Sequence, residues 1–593
     1  MKSLDALSSC ARNSSGAGKD SINLWAVRRW AIRSGVSRAV FLSAYRSSLQ
    51  LSIARLVQAL YRERLCSARV SRSSLGIGLA LGRPTSLWVP IVPKPFVRLD
   101  VRAWPCCYRP DRSPVHWGGT FLRELAAVLR HSPVAGRFTE LSRDFQNSLS
   151  NLVLNRLLAG RRGVMRHALE PAYQGHHYYP FPGLRTGLSV DQVVSCSHLN
   201  AGVVAIPLVE VSALTFRSPV FSGARECFEA WAGKRLHSTH PVIPVHPWQL
   251  EISPVLSAIV SARGARVSKG HVNCIPLASQ RTLRVQATSY DLKLSVDAAL
   301  TSEHRLLFRL NCENAPVVSA LVQRLILSNA ESRDLDIQAD VASLSFADPR
   351  LAPHLSAIVR APVRTGKDES AVPAIELWTG REIALSLLRS SSPQEVRRFF
   401  RRYCQIVMRG PVRFLLQFGL AFEPHLQNSI IVFRERRPHR LIIRDLDGTV
   451  MDRGRVEALL VRYGLRLAAD TWEHMPTSGV GEDRLIHSLF FGHLAVAVDF
   501  LSEKLPVSQP ELMHILSEEW VNLRETIRVK GAATRFDSLC GHLAKGKLML
   551  VARLERSHQM RFVRLPKHAA FLRLQGSMSP SGVSRIDRRL HQT

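Results

Sequence analysis

The sequence predicts an α+β chain built in more than one lobe, and three observations lead there. Apolar residues recur at helical spacing near the start and again toward the end of the chain. Between them lies a long stretch of short apolar runs broken by turn residues. A strand pair, SIIVFRE and RLIIRDLDG, is then embedded among helical segments.

Residues 20–70 read as helical, with Leu51, Ile53, Leu56 and Leu60 on one stripe. Several prolines and the runs SLWVPIV and FVRLDV make 71–118 strands and turns. From 121 to 158 the helical period returns, in LRELAAVL and FQNSLSNLVLNRLL. Strands and turns fill 176–310, including VVAIPLVEV, HPVIPVHPW and QRTLRVQA. A helix over 317–332 follows, then short strands in irregular chain over 333–380, then helix over 381–419. RRPH reads as the turn of the strand pair, and 453–560 reads as mostly helical.

With 593 residues, 46% hydrophobic and 21% charged, the chain can build two to four structural units of ordinary soluble composition. Its apolar runs fall short of the roughly 18 residues a spanning helix needs, so no membrane segment is expected. Residues 21–80 are rich in Arg and Ser with Glu63 as their sole acid, as in transit peptides. Their helical spacing suits a packed helix better, and no secretory pattern is present, so the expectation is a cytoplasmic protein. The ten cysteines are scattered without a C-x-x-C pair, which points to a reduced compartment and no thiolate metal site. His237, His240 and His246 invite a zinc reading, but two prolines separate the last two and no fourth ligand lies near. The net charge of +33 favours anionic partners, yet the basic residues are spread out and no nucleic-acid motif accompanies them.

Chemistry concentrates in two stretches. In GLAFEPHLQN, Glu423, His425, Gln427 and Asn428 alternate just before an apolar strand, and Asp445 ends the partner strand. A short turn would bring Asn428 and Asp445 to the same end, where oxygen ligands suit Mg²⁺ carrying nucleotide phosphates. In ASQRTLRV, Ser279, Arg281 and Thr282 cannot all face one way on a regular strand, so a loop or bulge is expected to let them converge. Lys293 and Arg305 add cations able to hold a polyphosphate or polycarboxylate. A basic solvated sheet face is the plain alternative. His176 sits in an aromatic, proline-rich loop, and PVHPWQ reads as a structural corner around a buried Trp248.

LIIRDLDGTV also resembles the opening signature of haloacid-dehalogenase-type phosphotransferases, with Asp445 as nucleophile and Asp447 as general acid. The later acidic pair which that class needs is not found beyond residue 450.

Taken in order over about 120–565, the motifs resemble the IucA/IucC family of NRPS-independent siderophore synthetases. They are Gly175-His176, HPWQ at 246–249, S-x-R-T at 279–282, Lys293, T-S-x-x-R at 301–305 and the stretch ending at Asn428. RD at 444–445, SLFFGHL at 488–494 and K-x-x-L-x-x-R-L around Lys547 complete the set. The resemblance implies a cupped hand: a mainly helical thumb over 21–175, mixed fingers over 176–380 and a helix–hairpin–helix palm over 381–565. Residues 1–20 are expected to be disordered, and 566–593 form a tail. It implies a ligase that adenylates citrate or a related acid with Mg-ATP and passes the acyl group to an amine or hydroxyl. Ser279, Arg281, Thr282 and Lys293, helped by His176, would contact ATP phosphates. Arg305 and His425 would hold the carboxylate, Gln427 and Asn428 the nucleotide, and Asp445 with Glu423 the Mg²⁺. Homodimers are common among relatives; neither membrane nor nucleic acid is implied as a partner. The loop departs from G-H-P-x-H-P-x-x-K, with Tyr179 in place of the second histidine and Gly183 in place of the lysine, so that Arg185 could reach in for it. Gly492 stands where the family usually has asparagine. A catalytically silent homologue that binds nucleotide or acid is the second reading, and a nucleic-acid binder a third.

Overall fold

The computed structural model describes residues 22–564, with the exception of 74–75, 83–86, 95–97, 102–106, 162–169, 171–174, 212–218, 224–241, 380–382, 477–478, 528–531, 556–560 and positions 176, 201, 263, 302, 389 and 544. The expectations for 1–20 and 566–593, for His176, and for the zinc pair His237 and His240 lie outside the described residues.

Helices Leu24–Arg33 and Arg38–Arg62 open the chain, capped by Asn23 and Ser37, whose side chains accept amide hydrogen bonds of the first turn. The second helix is buried along most of its latter half because Phe138–Ala159 packs against it. Strands Ala68–Ser73, Gly76–Leu81, Leu87–Lys94 and Arg98–Val101 form an antiparallel meander beside them.

The middle of the chain builds an eight-stranded antiparallel sheet whose central strands are Asp291–Leu294, Thr282–Val285 and Ala265–Pro276. All four residues of 291–294 and of Ala357–Arg360 are buried. Lys293 and Arg360 therefore need partners inside the fold. Helix Arg309–Ser328 covers strand Asp340–Phe346 of this sheet.

A second sheet carries the expected hairpin, Ser429–Arg434 with Arg437–Ile443, flanked by Glu369–Pro373 and by Leu335–Ile337. Its turn is Glu435–Arg436, both at positive φ (50° and 62°), and not RRPH. Pro438 lies within the second strand beside a register shift, where a missing N–H is tolerated.

Helix Pro393–Arg413, with a full capping box at Ser392 and Glu395, packs on this hairpin and on Gln509–Thr526. Two buried π-helical segments, Phe414–Phe418 and His487–Leu494, interrupt the C-terminal helices. The continuous helix Val480–Lys504 has an 18-residue window of mean hydropathy 1.6, long and apolar enough to cross a membrane by length and composition. That window is 89% buried here, against Trp520 and its neighbours. One apolar cluster runs from Ile22 to Leu554.

Candidate active site

Strand 265–276 turns into 282–285 through a tight loop. The Leu277 amide donates to the Thr282 carbonyl (3.0 Å), and the Gln280 amide to the Leu277 carbonyl (2.8 Å). Gln280 takes φ +66°, and Ser279 Oγ accepts the Thr282 amide at 3.1 Å. The pleat thus starts only at Thr282, and the loop lets Ser279, Arg281 and Thr282 line one cavity. His246 fixes this loop from below. It is fully buried and its Nε2–H donates to the Gln280 carbonyl (3.1 Å), while Nδ1 accepts the Trp248 amide (3.2 Å). Burial pushes it down to about 4, a neutral corner residue as expected.

Arg281 Nη1–H donates to the Arg305 carbonyl (3.1 Å). Burial, then the nearby Arg305, push it down to about 10 while Asp445 and Asp447 pull upward. Arg305 is held by the Leu300 carbonyl (2.9 Å) and Thr301 Oγ1 (2.6 Å), and Thr301 itself is left-handed at φ +66°.

Lys293 Nζ donates to both Asp445 (2.6 Å) and Asp447 (2.7 Å) with only 2% of its side chain exposed. Arg360, paired in register beside Asp291, bridges Asp340 and Asp445, both at 2.8 Å. Asp445 has φ +72° and ψ +55°, so the chain is bent sharply just after its strand. Burial alone would raise its carboxyl, but Lys293, Arg360 and Arg281 hold it well below the usual range.

The loop bearing Glu423 and His425 starts where the π-helical segment 414–418 ends at left-handed Gly419. A Cβ there would lie 2.6 Å from Asp452 Cβ, so only glycine fits. The second π-helical segment steadies the loop, because the Leu426 amide donates to the Gly492 carbonyl (3.2 Å). His493 Nδ1–H likewise donates to the Pro424 carbonyl (2.8 Å). Glu423 pairs with Arg484 at 3.0 Å. Against the effect of burial, Arg484 and Lys547 pull its carboxyl down. Burial lowers His425, with Glu423 and Asp445 opposing, so its imidazole is neutral at pH 7.

The hairpin brings Asn428 and Asp445 to one end, where the Arg444 amide donates to the Asn428 carbonyl (3.0 Å). Arg444 also donates to the Gln427 carbonyl (2.8 Å) and to Glu170, whose other oxygen accepts the Ala278 amide (3.0 Å). The two motif loops are thereby stitched together.

Lys547 arrives from the far end of the chain. It precedes helix Met549–Leu554, whose first amides, Met549, Leu550 and Val551, all donate to the buried Glu63 carboxylate at 2.8–3.0 Å.

A cavity of about 650 Å³ collects Ser279, Arg281, Thr282, Lys293, Arg305, Glu423, His425, Gln427, Asn428 and Asp445, every described candidate from the sequence. Eight Lys and Arg side chains face five Asp and Glu side chains around it. Arg360, Arg484 and Glu170 were missed, and Arg444 and Lys547 stood in the quoted motifs without a role. An arginine ending the otherwise apolar strand AIVR was the clearest available signal for Arg360. Arg185 lines the cavity, with its guanidinium also bonded to Asn151 and Asn155. Among the described residues no three His, Cys, Asp or Glu side chains form a ready metal-ligating group.

Residues 167–378 match the IucA / IucC family, and residues 397–562 match the ferric iron reductase FhuF-like transporter family. The chain carries an IucA/IucC family domain. It is 24% identical to protein y4xN of Sinorhizobium fredii, over 70% of this chain and 77% of that one. It is also 24% identical to staphyloferrin A synthase of Staphylococcus aureus, over 35% of this chain and 37% of the enzyme. In three dimensions it resembles the petrobactin biosynthesis protein AsbB of Bacillus anthracis, with TM-score 0.75 and 17% identity, covering 93% of this chain and 99% of that one. ATP-bound aerobactin synthetase IucA of Klebsiella pneumoniae gives TM-score 0.69 at 15% identity, covering 87% and 99%. The IucA/IucC domain therefore sits in the cupped-hand α+β fold of the siderophore synthetases, and its homologues include such ligases. Its FhuF-like part contributes two described cysteines, Cys404 and Cys540, both free thiols.

Proposed function

We propose that this chain is an ATP-dependent ligase of siderophore assembly, which activates a carboxylate of citrate or a related acid as an acyl-adenylate and joins it to an amine or hydroxyl. The observation that carries the reading is the convergence of Ser279, Arg281, Thr282, Lys293, Arg305, His425 and Asp445 on one cation-rich cavity, in a fold shared with an ATP-bound synthetase.

The chemistry needs one anion to attack another, so its main obstacle is charge repulsion. Arg281 and Lys293, with the hydroxyls of Ser279 and Thr282, are suited to neutralise the phosphates. Arg305 and the neutral His425 orient the acid toward the α-phosphorus, and Gln427 with Asn428 lines the nucleotide. A carboxylate oxygen attacks the α-phosphorus and expels pyrophosphate; the amine or hydroxyl then attacks the acyl carbon, loses its proton and expels AMP, whose charge the same cations stabilise. Asp445 and Glu423, with hard carboxylate oxygens of the type Mg²⁺ takes, are the residues that would hold it, and the ion would offset phosphate charge when bound. Lys293 already places an ammonium cation between Asp445 and Asp447. The division into thumb, fingers and palm at 175/176 and 380/381, a homodimer and a cytoplasmic location belong to the same reading.

A phosphotransferase using Asp445 and Asp447 is not favoured. Their strand belongs to a four-stranded mixed sheet in which its hairpin partner is antiparallel, and both carboxylates are held by Lys293.

The test is acid-dependent ATP–pyrophosphate exchange with citrate, 2-oxoglutarate and succinate. Exchange with one acid, abolished in Asp445→Ala, supports the ligase. Folded protein that binds ATP but never exchanges with any acid supports the silent homologue, and folded protein that binds no ATP removes the ligase reading.

A further inference from the structure

The loop ending in Gly187 contains a cation that the adenylation chemistry does not use. Arg185 is 3% exposed and lines the cavity. Its backbone amide donates to Asn147 Oδ1 (2.9 Å), its Nη1 to Asn151 Oδ1 (3.0 Å) and its Nη2 to Asn155 Oδ1 (2.9 Å). These asparagines stand at i, i+4 and i+8 on one face of helix Phe138–Ala159, the amphipathic FQNSLSNLVLNRLL. All three acceptors are neutral.

Burying a guanidinium without a counter-charge costs several kcal/mol, and a loop peg alone could use a neutral side chain. Burial moves Arg185 only down to about 10, so it stays charged at pH 7. Three of the six arginines around the cavity have carboxylate partners: Arg360 has Asp340 and Asp445, Arg444 has Glu170, and Arg484 has Glu423. Among the described residues only Arg185, Arg281 and Arg305 on this cavity have none. The last two touch each other and face the phosphates and the acid. The Arg185 backbone pairs with Leu300, whose carbonyl holds Arg305, so Arg185 stands next to that centre while its guanidinium bonds the asparagines. On the same loop, and nearer to Arg553 and Arg305 in its electrostatics, Tyr179 lines the same cavity, is 1% exposed and its hydroxyl has no hydrogen-bond partner among the described residues. Gly183 brings the loop against the helix, since a Cβ there would lie 2.6 Å from the Ser148 carbonyl oxygen.

Two of the five guanidinium N–H groups are used by the asparagines, which leaves donors for a bidentate anion. We propose that Arg185, with the Tyr179 hydroxyl, anchors a carboxylate on the amine or alcohol co-substrate, which is therefore an amino acid or similar carboxylated nucleophile and not a plain amine. This rests on the ligase reading and adds the class of its second substrate.

The test compares matched nucleophiles with and without the carboxylate: L-lysine with cadaverine, L-2,3-diaminopropionate with ethylenediamine, and L-serine with ethanolamine. Product formation is followed by mass spectrometry in wild type, Arg185→Gln and Arg185→Lys. Thermal unfolding and ATP titration report folding of the variants. The expected result is at least a tenfold preference in kcat/KM for the carboxylated member of one pair. That preference should vanish in Arg185→Gln, through KM for the nucleophile, and partly survive in Arg185→Lys. Equal use of both members by wild type, or a preference untouched in Arg185→Gln, overturns the proposal while leaving the ligase reading intact. An equal fall with both members means a structural peg and also overturns it. Failure of wild type to exchange with any acid removes the ligase reading and this proposal together.

Discussion

Replacing Lys293 by Met leaves the shape of the strand but removes the cation shared by Asp445 and Asp447. Both carboxylates are within 2.7 Å of Nζ, which is almost fully buried. Breaking a buried pair by deleting one partner costs roughly 3–5 kcal/mol. Asp445 keeps Arg360 at 2.8 Å and has a third of its side chain exposed, which moderates the loss. Asp447 is 11% exposed and among the described residues pairs with Lys293 alone, so it carries most of the penalty. The expected destabilisation is thus near the lower limit, about 3 kcal/mol. Adding Asp447→Asn removes the stranded charge and should return about 1–2 kcal/mol. The assay is urea unfolding of the four proteins of this cycle, compared at one denaturant concentration because so large a chain need not unfold in two states. A loss below about 1 kcal/mol, or a double variant no more stable than Lys293→Met, would refute the argument that the pair is energetically coupled.

Three further outcomes follow from the geometry. His246 and His493 are both pushed down to about 4, whereas an unfolded histidine titrates near 6.5. The unfolded chain then binds more protons, so their contribution is complete above pH 6.5 and lost as the pH falls toward 4. At pH 5 each costs about 2 kcal/mol, and His246→Asn, which retains a helix cap, should flatten the acid limb of unfolding temperature against pH. Gly419→Ala puts a Cβ into Asp452 at a left-handed position and should cost about 2–4 kcal/mol, with an accompanying fall in exchange activity, read by thermal unfolding and pyrophosphate exchange. Arg444→Met leaves Glu170 buried and unpaired between the two motif loops, and should cost about 3 kcal/mol while weakening ATP binding measured by calorimetry.

Much of the site was legible because its residues are close in sequence and the local geometry constrains them. Alternation before an apolar strand placed Asn428 at the open end of a hairpin. The impossibility of three same-facing residues on 279–282 required the loop that Gln280 makes. What could not be read came from long range. Arg360 and Arg484 meet Asp445 and Glu423 only through sheet and helix packing, and the lone arginine ending AIVR is the one local mark of either. The hairpin turn was misplaced for a different reason. Proline in RRPH is a strong turn signal, but a bulge absorbs Pro438, while Glu435 and Arg436 take positive φ without glycine or asparagine to advertise it. The partners of Arg185 were not legible because a ladder of asparagines on a helix 30 or more residues upstream leaves no trace in its own loop.

The Glu63 cap has a consequence for how the protein is made. Its three partners lie 486 to 488 residues downstream, so the first long helix closes against nearly the last described element. At about 5–20 residues per second, synthesis takes roughly half a minute to two minutes to bridge that gap. Throughout that time Glu63 waits for its partners and the cavity lacks Lys547. A nascent chain released early would therefore carry the two motif loops and yet be unable to complete the cavity, so the last wall of this site is set by the order of translation.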